Sequence, residues 1–250
     1  METHNPRKLD PALAGNYDVK SSSWISEGFN FLKANMGVLL GFAVIFFLLA
    51  MMVQFIPVIG PVAQSIVISP ALTLGFFLFA YQYEKQRNPE FSTFFDGFQH
   101  LGKLIPIALI QTGIIVALMV PLGVAGFISA DMTVSDDISP IFFLIMIPIM
   151  AIIFYITVSW MYAYPLAVFF DLKPWDAMET SRKIVSQNFW PLLGFLLLLA
   201  LVLLGGTLAL CVGLLFVYPA VMYAQYASFR DITNLLSDQP TDDILDHLVD

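Results

Sequence analysis

The sequence predicts an all-α polytopic membrane protein with six transmembrane helices in three hairpins, each preceded by an amphipathic interfacial helix. Of the 250 residues, 58% are hydrophobic and only 12% are charged, whereas soluble domains average roughly 25% charged residues. The charged residues lie between uncharged runs that are long enough to cross a bilayer, which takes about 20 helical residues. This composition favours one membrane domain over a soluble globule.

The first twenty residues and the helix after them precede the first span. Residues 1–20 are polar and contain Pro, Asn and Asp, so we predict a flexible cytoplasmic tail. Serines 21–23 can cap a helix in which Trp24, Gly28 and Phe31 share one face. This helix either lies on the membrane interface or forms a soluble amphipathic turn. Residues 36–55 are the first predicted span.

A second amphipathic helix separates spans two and three. Span two is predicted at residues 62–83, with Pro70 inside it. Asn88-Pro89-Glu90 predicts a helix start, because Asn caps, Pro suits the first position and Glu suits the positive end. Span three follows at residues 104–128, after an aromatic stripe of Phe91, Phe94, Phe95 and Phe98.

Span four is unusually long. Residues 141–170 are uncharged and would extend about 45 Å as one helix. We predict a tilted or kinked helix with Pro148 and Pro165 as kink sites, and a small re-entrant piece is the alternative.

The third amphipathic helix begins near Pro174 and leads into the last two spans. Trp175, Met178 and Val185 follow one stripe, and charged residues take the other side. Spans five and six are predicted at residues 189–204 and 208–229. We therefore divide the chain into the tail 1–20, a six-span domain at 21–230 and an acidic cytoplasmic tail at 231–250.

The basic residues indicate the orientation. With six spans, all eleven Lys and Arg residues fall on the side of the two termini, and the opposite loops carry only Asp131, Asp136 and Asp137. The positive-inside rule therefore places both termini in the cytoplasm. A model with five or seven spans would scatter the basic residues over both sides.

The sequence also suggests an internal repeat. Residues 35–42 and 188–195 share Asn, Leu-Leu-Gly and Phe at a constant offset. Each returning span carries a predicted kink, at Pro70, Pro165 and Pro219. We predict three parallel units at about 21–87, 88–172 and 173–230, and chance similarity between leucine-rich runs is the alternative.

Several motifs together carry a resemblance to a known family. They are the aromatic amphipathic helices, the Pro57–Pro61 turn, Asp176-Ala177 with Ser181, and Tyr218-Pro219 before residues 226–231. Through them the chain is similar, over about residues 21–232, to uncharacterised bacterial six-helix integral membrane proteins of the YciC-like kind. It also resembles the membrane domain of some glycerophosphodiester phosphodiesterases, whose catalytic domain this sequence lacks. The resemblance implies a bacterial cytoplasmic (inner) membrane protein with no established activity.

No catalytic motif, metal-ligand set or cofactor site is evident in the sequence. There is one cysteine, the three histidines are far apart, and no basic cluster indicates nucleic-acid binding. The candidate lipid head-group contacts are Lys33, Lys103, Arg182 and Lys183, which ordinary topology signalling explains equally well. The candidate interfacial anchors are Trp24, Trp175 and Trp190.

Three functions follow from these features. The first is a non-enzymatic accessory, scaffold or envelope-maintenance protein that contacts lipids, a membrane-protein complex or a second copy. The second is a passive channel or permease for a small neutral or amphipathic solute, lined by glutamines such as Gln64 and Gln111 and by tyrosines. The third is an enzyme acting on lipid head groups, for which the available carboxylates are Asp171, Asp176, Asp231 and Glu84.

Overall fold

The computed structural model describes residues 4–57, 59–131, 140–208 and 212–236, which are mostly helical and include no strand. Six helical segments in these ranges are long and apolar enough to cross a membrane. This confirms the all-helical, multi-pass class that the composition predicts. The six candidate spans are Met36–Gln54, Ile59–Glu84, Phe91–Val124, Met146–Phe169, Phe189–Leu208 and Val212–Ile232.

Eleven α-helices are assigned in the described residues. They are α1 (Asp10–Leu13), α2 (Ser21–Ala34), α3 (Met36–Gln54), α4 (Ile59–Ala63), α5 (Ser69–Glu84), α6 (Leu101–Asp131), α7 (Pro140–Ser159), α8 (Ala163–Phe169), α9 (Pro174–Gln187), α10 (Phe189–Leu208) and α11 (Val212–Ile232). A π-helical turn, Gln64–Ile68, joins α4 to α5, and 3-10 helices occupy Pro6–Leu9 and Phe91–His100.

The three predicted kink prolines occupy different local structures. Pro70 follows the π-helical turn. A proline has no N–H, and its ring clashes with the preceding turn of an α-helix. The π-helical turn before Pro70 accommodates both features. Pro219 lies inside the continuous helix α11. Pro165 lies in the first turn of α8, just after a break in the fourth span.

That break divides span four into α7 and α8 at residues 160–162. The Ser181 hydroxyl accepts a hydrogen bond from the Tyr162 N–H (3.2 Å) and donates one to the Ser159 carbonyl (2.8 Å). A side chain from α9 therefore satisfies backbone groups that the interrupted helix leaves unpaired. Pro148, the other predicted kink site, lies inside α7.

The core is formed by the second and sixth spans together with α8. In the apolar stretches of spans two and six, 50% and 56% of the residues are buried in protein, whereas in the other four spans the share is 11–22%. Large aromatic side chains from these central helices are fully buried, including Phe76, Phe169, Tyr226 and Phe229. The outer spans therefore expose most of their apolar surface, as helices that face lipid do.

The amphipathic helices pack on the returning spans through small residues. A Cβ atom on Gly28 of α2 would lie 2.2 Å from the Ala220 carbonyl oxygen of α11. A Cβ atom on Gly97, in the Phe91–His100 helix, would lie 1.8 Å from the Ala71 carbonyl oxygen of α5. On α2 the residues Trp24, Gly28 and Phe31 are buried against protein, whereas on the Phe91–His100 helix Phe94 is buried and Phe91 is exposed.

The N-terminal segment, expected from sequence to be a flexible tail, follows a defined path along α9 from His4 onward. The Tyr17 hydroxyl donates to the Ile184 carbonyl (2.7 Å), and the Gln187 amide donates to the Leu13 carbonyl (3.1 Å). Leu9 is buried, and burial raises the pKa of the Tyr17 phenol. The segment thus covers part of the end of the bundle where α8 and α9 meet.

Candidate functional site

Four charged residues from three helices meet at one end of the bundle. Arg230 of α11 donates to Glu27 of α2 through Nη2 (2.8 Å) and to Asp231 through Nε (2.8 Å). Its Nη1 donates to Glu84 at the end of α5. We call Arg230, Glu27, Glu84 and Asp231 the Arg230 cluster. The Arg230 and Glu84 side chains are only 17% and 13% exposed, so this pair is largely removed from water, whereas Glu27 and Asp231 are 34% and 32% exposed.

Aromatic donors complete the hydrogen bonds of the cluster carboxylates. The Trp24 Nε1 donates to Asp231 Oδ2 at 2.8 Å. The Tyr223 and Tyr226 hydroxyls donate to the two oxygens of Glu84 at 2.6 and 3.0 Å. One guanidinium faces three carboxylates, so these neutral donors are needed to satisfy the excess negative charge. The arrangement ties the middle of α2 to the ends of α5 and α11.

We predict that Trp24→Phe lowers the free energy of unfolding by about 1.5–3 kcal/mol, because it removes a hydrogen bond to a charged group. The aromatic ring remains and still contacts Phe195, whose centroid is 5.1 Å away. The measurement is thermal unfolding of the purified protein in a mild detergent. Trp175→Phe is the matched control, since Trp175 is 61% exposed; an equal effect of the two variants would contradict the prediction.

The three tryptophans expected to anchor the interface differ in their surroundings. Trp24 is fully buried in the protein. Its place on the apolar stripe of α2 directs the ring onto α10 and α11 instead of the bilayer. Trp175 and Trp190 are exposed, the latter at 78%.

The candidate lipid-contacting cations also differ. Lys103 pairs with Asp171 and donates to the Ala167 carbonyl (3.1 Å), so it links α6 to the end of α8. Lys33 is exposed in the last turn of α2.

Arg182 and Lys183 lie together on α9. Arg182 donates to both oxygens of Glu179 at 2.7 and 2.8 Å, and Lys183 Nζ lies 3.7 Å from that carboxylate. The hydrogen bonds from Arg182 hold the pKa of Glu179 below its usual range.

Several polar side chains of the spans pair with each other. The Tyr164 hydroxyl donates to Gln111 Oε1 (2.8 Å), and the Tyr162 and Ser228 hydroxyls are 2.9 Å apart. Among the described residues, two buried polar side-chain atoms have no hydrogen-bond partner: Gln64 Oε1, in the π-helical turn, and the Ser159 hydroxyl beside the break in span four. The bond between Tyr164 and Gln111 joins α8 to α6, and the contact between Tyr162 and Ser228 joins the break in span four to α11.

The fold distributes the four carboxylates considered for catalysis over three places. Glu84 and Asp231 belong to the Arg230 cluster, Asp171 pairs with Lys103, and Asp176 lies in the first turn of α9. Within the described ranges, no group of three or more His, Cys, Asp and Glu residues is placed to hold a metal ion. The His4 Nε2 atom lies 3.2 Å from the Tyr81 hydroxyl oxygen.

The fold defines a multi-pass, all-helical membrane class. Comparisons with protein-family models, with curated proteins and with solved structures return no match.

Sequence reasoning did not predict the Arg230 cluster. Two of its members, Glu27 and Arg230, are 203 positions apart along the chain, and no spacing rule relates them. One signal was present: Glu84 and Arg230 each follow a long apolar run directly, at the end where the termini are predicted to lie.

Proposed function

We propose that this chain is a non-enzymatic integral protein of the bacterial inner membrane that acts as an accessory, scaffold or envelope-maintenance component through contacts with lipids or a membrane-protein partner. Its six spans form three hairpins with both termini in the cytoplasm. The one-sided distribution of Lys and Arg supports this orientation. The YciC-like resemblance supports the bacterial assignment.

The proposal includes a threefold internal repeat. Each amphipathic helix contacts the returning span of the unit before it, in a cyclic order: α2 on α11, the Phe91–His100 helix on α5, and α9 on α8. In each contact a small residue of the amphipathic helix, Gly28, Gly97 or Ser181, meets a backbone carbonyl of the span. This equivalence supports three related units that close into a ring.

The observation that supports the scaffold function is that the charged side chains form ion pairs between different helices. The Arg230 cluster joins the first amphipathic helix to the second and sixth spans, and Lys103 joins the third span to the end of the fourth. These charged groups therefore hold a collar of helices at the predicted cytoplasmic end. A rigid collar with exposed apolar spans is suited to contacts with lipid and with other membrane proteins.

The test is native mass spectrometry of the protein extracted from its own membrane in polymer nanodiscs. The expected result is the chain with a second membrane protein in fixed ratio, or with a set of lipids enriched over the bulk membrane. A lone chain with lipids in bulk proportions would overturn the proposal.

A passive channel is the alternative. The observation that favours it is the buried side-chain oxygen Oε1 of Gln64, which has no hydrogen-bond partner among the described residues. A π-helical turn within an α-helical segment is frequently found at a functional site. Stopped-flow measurement of glycerol and urea flux into proteoliposomes decides between the two. The scaffold function predicts flux equal to that of protein-free liposomes; a flux abolished by Gln64→Leu would establish the channel.

A further inference from the structure

Span four consists of an exposed half and a buried half that meet at the break at residues 160–162. On α7, Leu144 and Ile147 are 74% and 63% exposed, whereas α8 is buried along most of its length. The Tyr162 hydroxyl at the break lies 2.9 Å from Ser228 Oγ of α11. The α8 half is therefore held in the core of the bundle, while α7 packs mainly on α6 and α9 at its periphery.

The backbone at the break makes shorter hydrogen bonds than an α-helix does. In an α-helix each N–H donates to the carbonyl four residues before it. Here the Met161 N–H donates to the Val158 carbonyl (3.3 Å), and the Ala163 N–H donates to the Trp160 carbonyl (3.1 Å). Both bonds reach the third residue back, as in a 3-10 helix.

The Ser181 hydroxyl takes the place of two helical hydrogen-bond partners. Ser181 lies in the middle of α9 and is fully buried, and its hydroxyl bonds to the Tyr162 N–H and to the Ser159 carbonyl. In a continuous helix these two groups would bond to the Val158 carbonyl and to the Ala163 N–H instead. The break therefore depends on α9 holding Ser181 in place.

The Ser159 side chain points to a second arrangement of this region. Its hydroxyl is buried and has no hydrogen-bond partner among the described residues, although buried polar groups are nearly always hydrogen-bonded. Ser181 Oγ already lies 2.8 Å from the carbonyl oxygen of the same residue. If the helix became continuous, the Ser181 hydroxyl would lose both backbone partners, and the Ser159 hydroxyl would be available to it.

The broken and continuous arrangements contain the same number of hydrogen bonds. The broken helix has four at this place, two of the 3-10 type and two to the Ser181 hydroxyl. The continuous helix would have the three backbone bonds of residues 161–163 and one bond between the two serine hydroxyls. Equal numbers of hydrogen bonds leave a small free-energy difference between the two forms. Packed helices with two such arrangements behave as bistable elements.

Pro165 gives the continuous form a defined end. Proline has no N–H, and its ring clashes with the carbonyl four residues before it, which here belongs to Met161. A continuous α7 would therefore extend to residue 164 and bend at Pro165, where the sequence predicts a kink. The bend would move by about one helical turn, and α7 would change its direction relative to α8.

We propose that the break in span four is a two-state switch with Ser181 of α9 as its latch. With the latch closed, the helix is broken at residues 160–162. With the latch open, the helix is continuous as far as Pro165 and α7 points in a different direction. Since α9 exposes Trp175 and Lys183, a ligand that binds there and displaces α9 opens the latch. The switch goes beyond the scaffold function and does not depend on it.

The test measures the distance between two spin labels on the full chain in lipid nanodiscs by double electron–electron resonance. The labels are placed at Ile147→Cys on α7 and Met51→Cys on α3 in a Cys211→Ser background, since both side chains are exposed. Ser181→Ala is expected to raise the ratio of a second distance to the main one by about fivefold, the net loss of one neutral hydrogen bond from the closed form. Ser159→Ala removes the partner of the open latch and is expected to lower that ratio.

The matched control is Ser186→Ala, which removes a hydroxyl of the same helix that donates to the Lys183 carbonyl (2.9 Å). Its distance distribution is expected to equal that of the wild type, and thermal unfolding checks that each variant is folded. A second distance that appears only in Ser181→Ala supports the latch as well. An unchanged distribution in Ser181→Ala, or shifts of Ser181→Ala and Ser159→Ala in the same direction, would overturn it.

The switch and the scaffold function fail separately. If the native-membrane particle has the expected composition but Ser181→Ala leaves the distance distribution unchanged, only the switch is lost. If the particle is a lone chain with bulk lipids while the two serine variants shift the distances in opposite directions, the scaffold function is lost and the switch stands.

Discussion

Gly75→Ala is expected to prevent formation of the native fold. A Cβ atom at this position would lie 1.8 Å from the Phe94 carbonyl oxygen and 2.6 Å from its carbonyl carbon. Both are backbone atoms, so the clash cannot be relieved by moving the end of a flexible side chain. Separating α5 from the Phe91–His100 helix would also open the buried contacts of Phe94 with Phe76 and Phe79. We expect a loss of about 3 kcal/mol or more in the free energy of unfolding.

The matched controls are Gly113→Ala and Gly194→Ala, since an added Cβ at either position meets no atom within 4 Å. Both controls replace a helical glycine by the best helix former and are expected to leave stability unchanged or to raise it by up to about 1 kcal/mol. Size-exclusion chromatography in detergent and thermal unfolding give the comparison. Wild-type behaviour of Gly75→Ala would contradict the close packing of these two helices.

Arg230→Ala is expected to lower the free energy of unfolding by about 3–5 kcal/mol, because it leaves three carboxylates together with no cation between them. Glu84 is the member most affected, as its side chain is only 13% exposed. Arg230→Lys is expected to recover only part of the loss, since an ammonium cannot donate in three directions with the geometry of a guanidinium. Urea unfolding in a mild detergent provides the measurement.

Lys183→Ala is the matched control for Arg230→Ala, because Lys183 is 57% exposed and makes one long ion pair with Glu179. Exposed pairs of this kind contribute about 0–1 kcal/mol. A second variant, Arg230→Ala/Glu84→Gln, removes one of the unpaired charges and is expected to restore part of the stability. Equal stability of Arg230→Ala and Lys183→Ala would show that the cluster does not hold the helices together.

The number of spans and most of their limits could be predicted because they depend on local composition. Span one was predicted at residues 36–55 and is observed as Met36–Gln54. The break in span four was not located, because residues 160–162 contain no proline or glycine. It is stabilised by Ser181, which lies about twenty residues further along the chain. A local pattern cannot report a hydrogen bond supplied by a distant helix.

The surroundings of the amphipathic stripes could not be predicted for a similar reason. A 3/4 spacing identifies which residues of α2 are buried, and Trp24, Gly28 and Phe31 are indeed buried. It does not identify what buries them, since a bilayer and a neighbouring span select the same residue types. The contact of Gly28 with the Ala220 carbonyl distinguishes the two, because only a packed helix requires a missing side chain.

The most direct test of this account is the topology of the chain in intact cells, measured with a membrane-impermeant maleimide on single cysteines in a Cys211→Ser background. Lys20→Cys, Arg87→Cys and Lys173→Cys lie at exposed positions on the predicted cytoplasmic side and are expected to react only after permeabilisation. Phe55→Cys and Leu208→Cys replace side chains that are 79% and 78% exposed at the opposite ends of the spans, and are expected to react in intact cells. Reaction of Arg87→Cys or Lys173→Cys in intact cells would contradict the six-span arrangement with both termini inside.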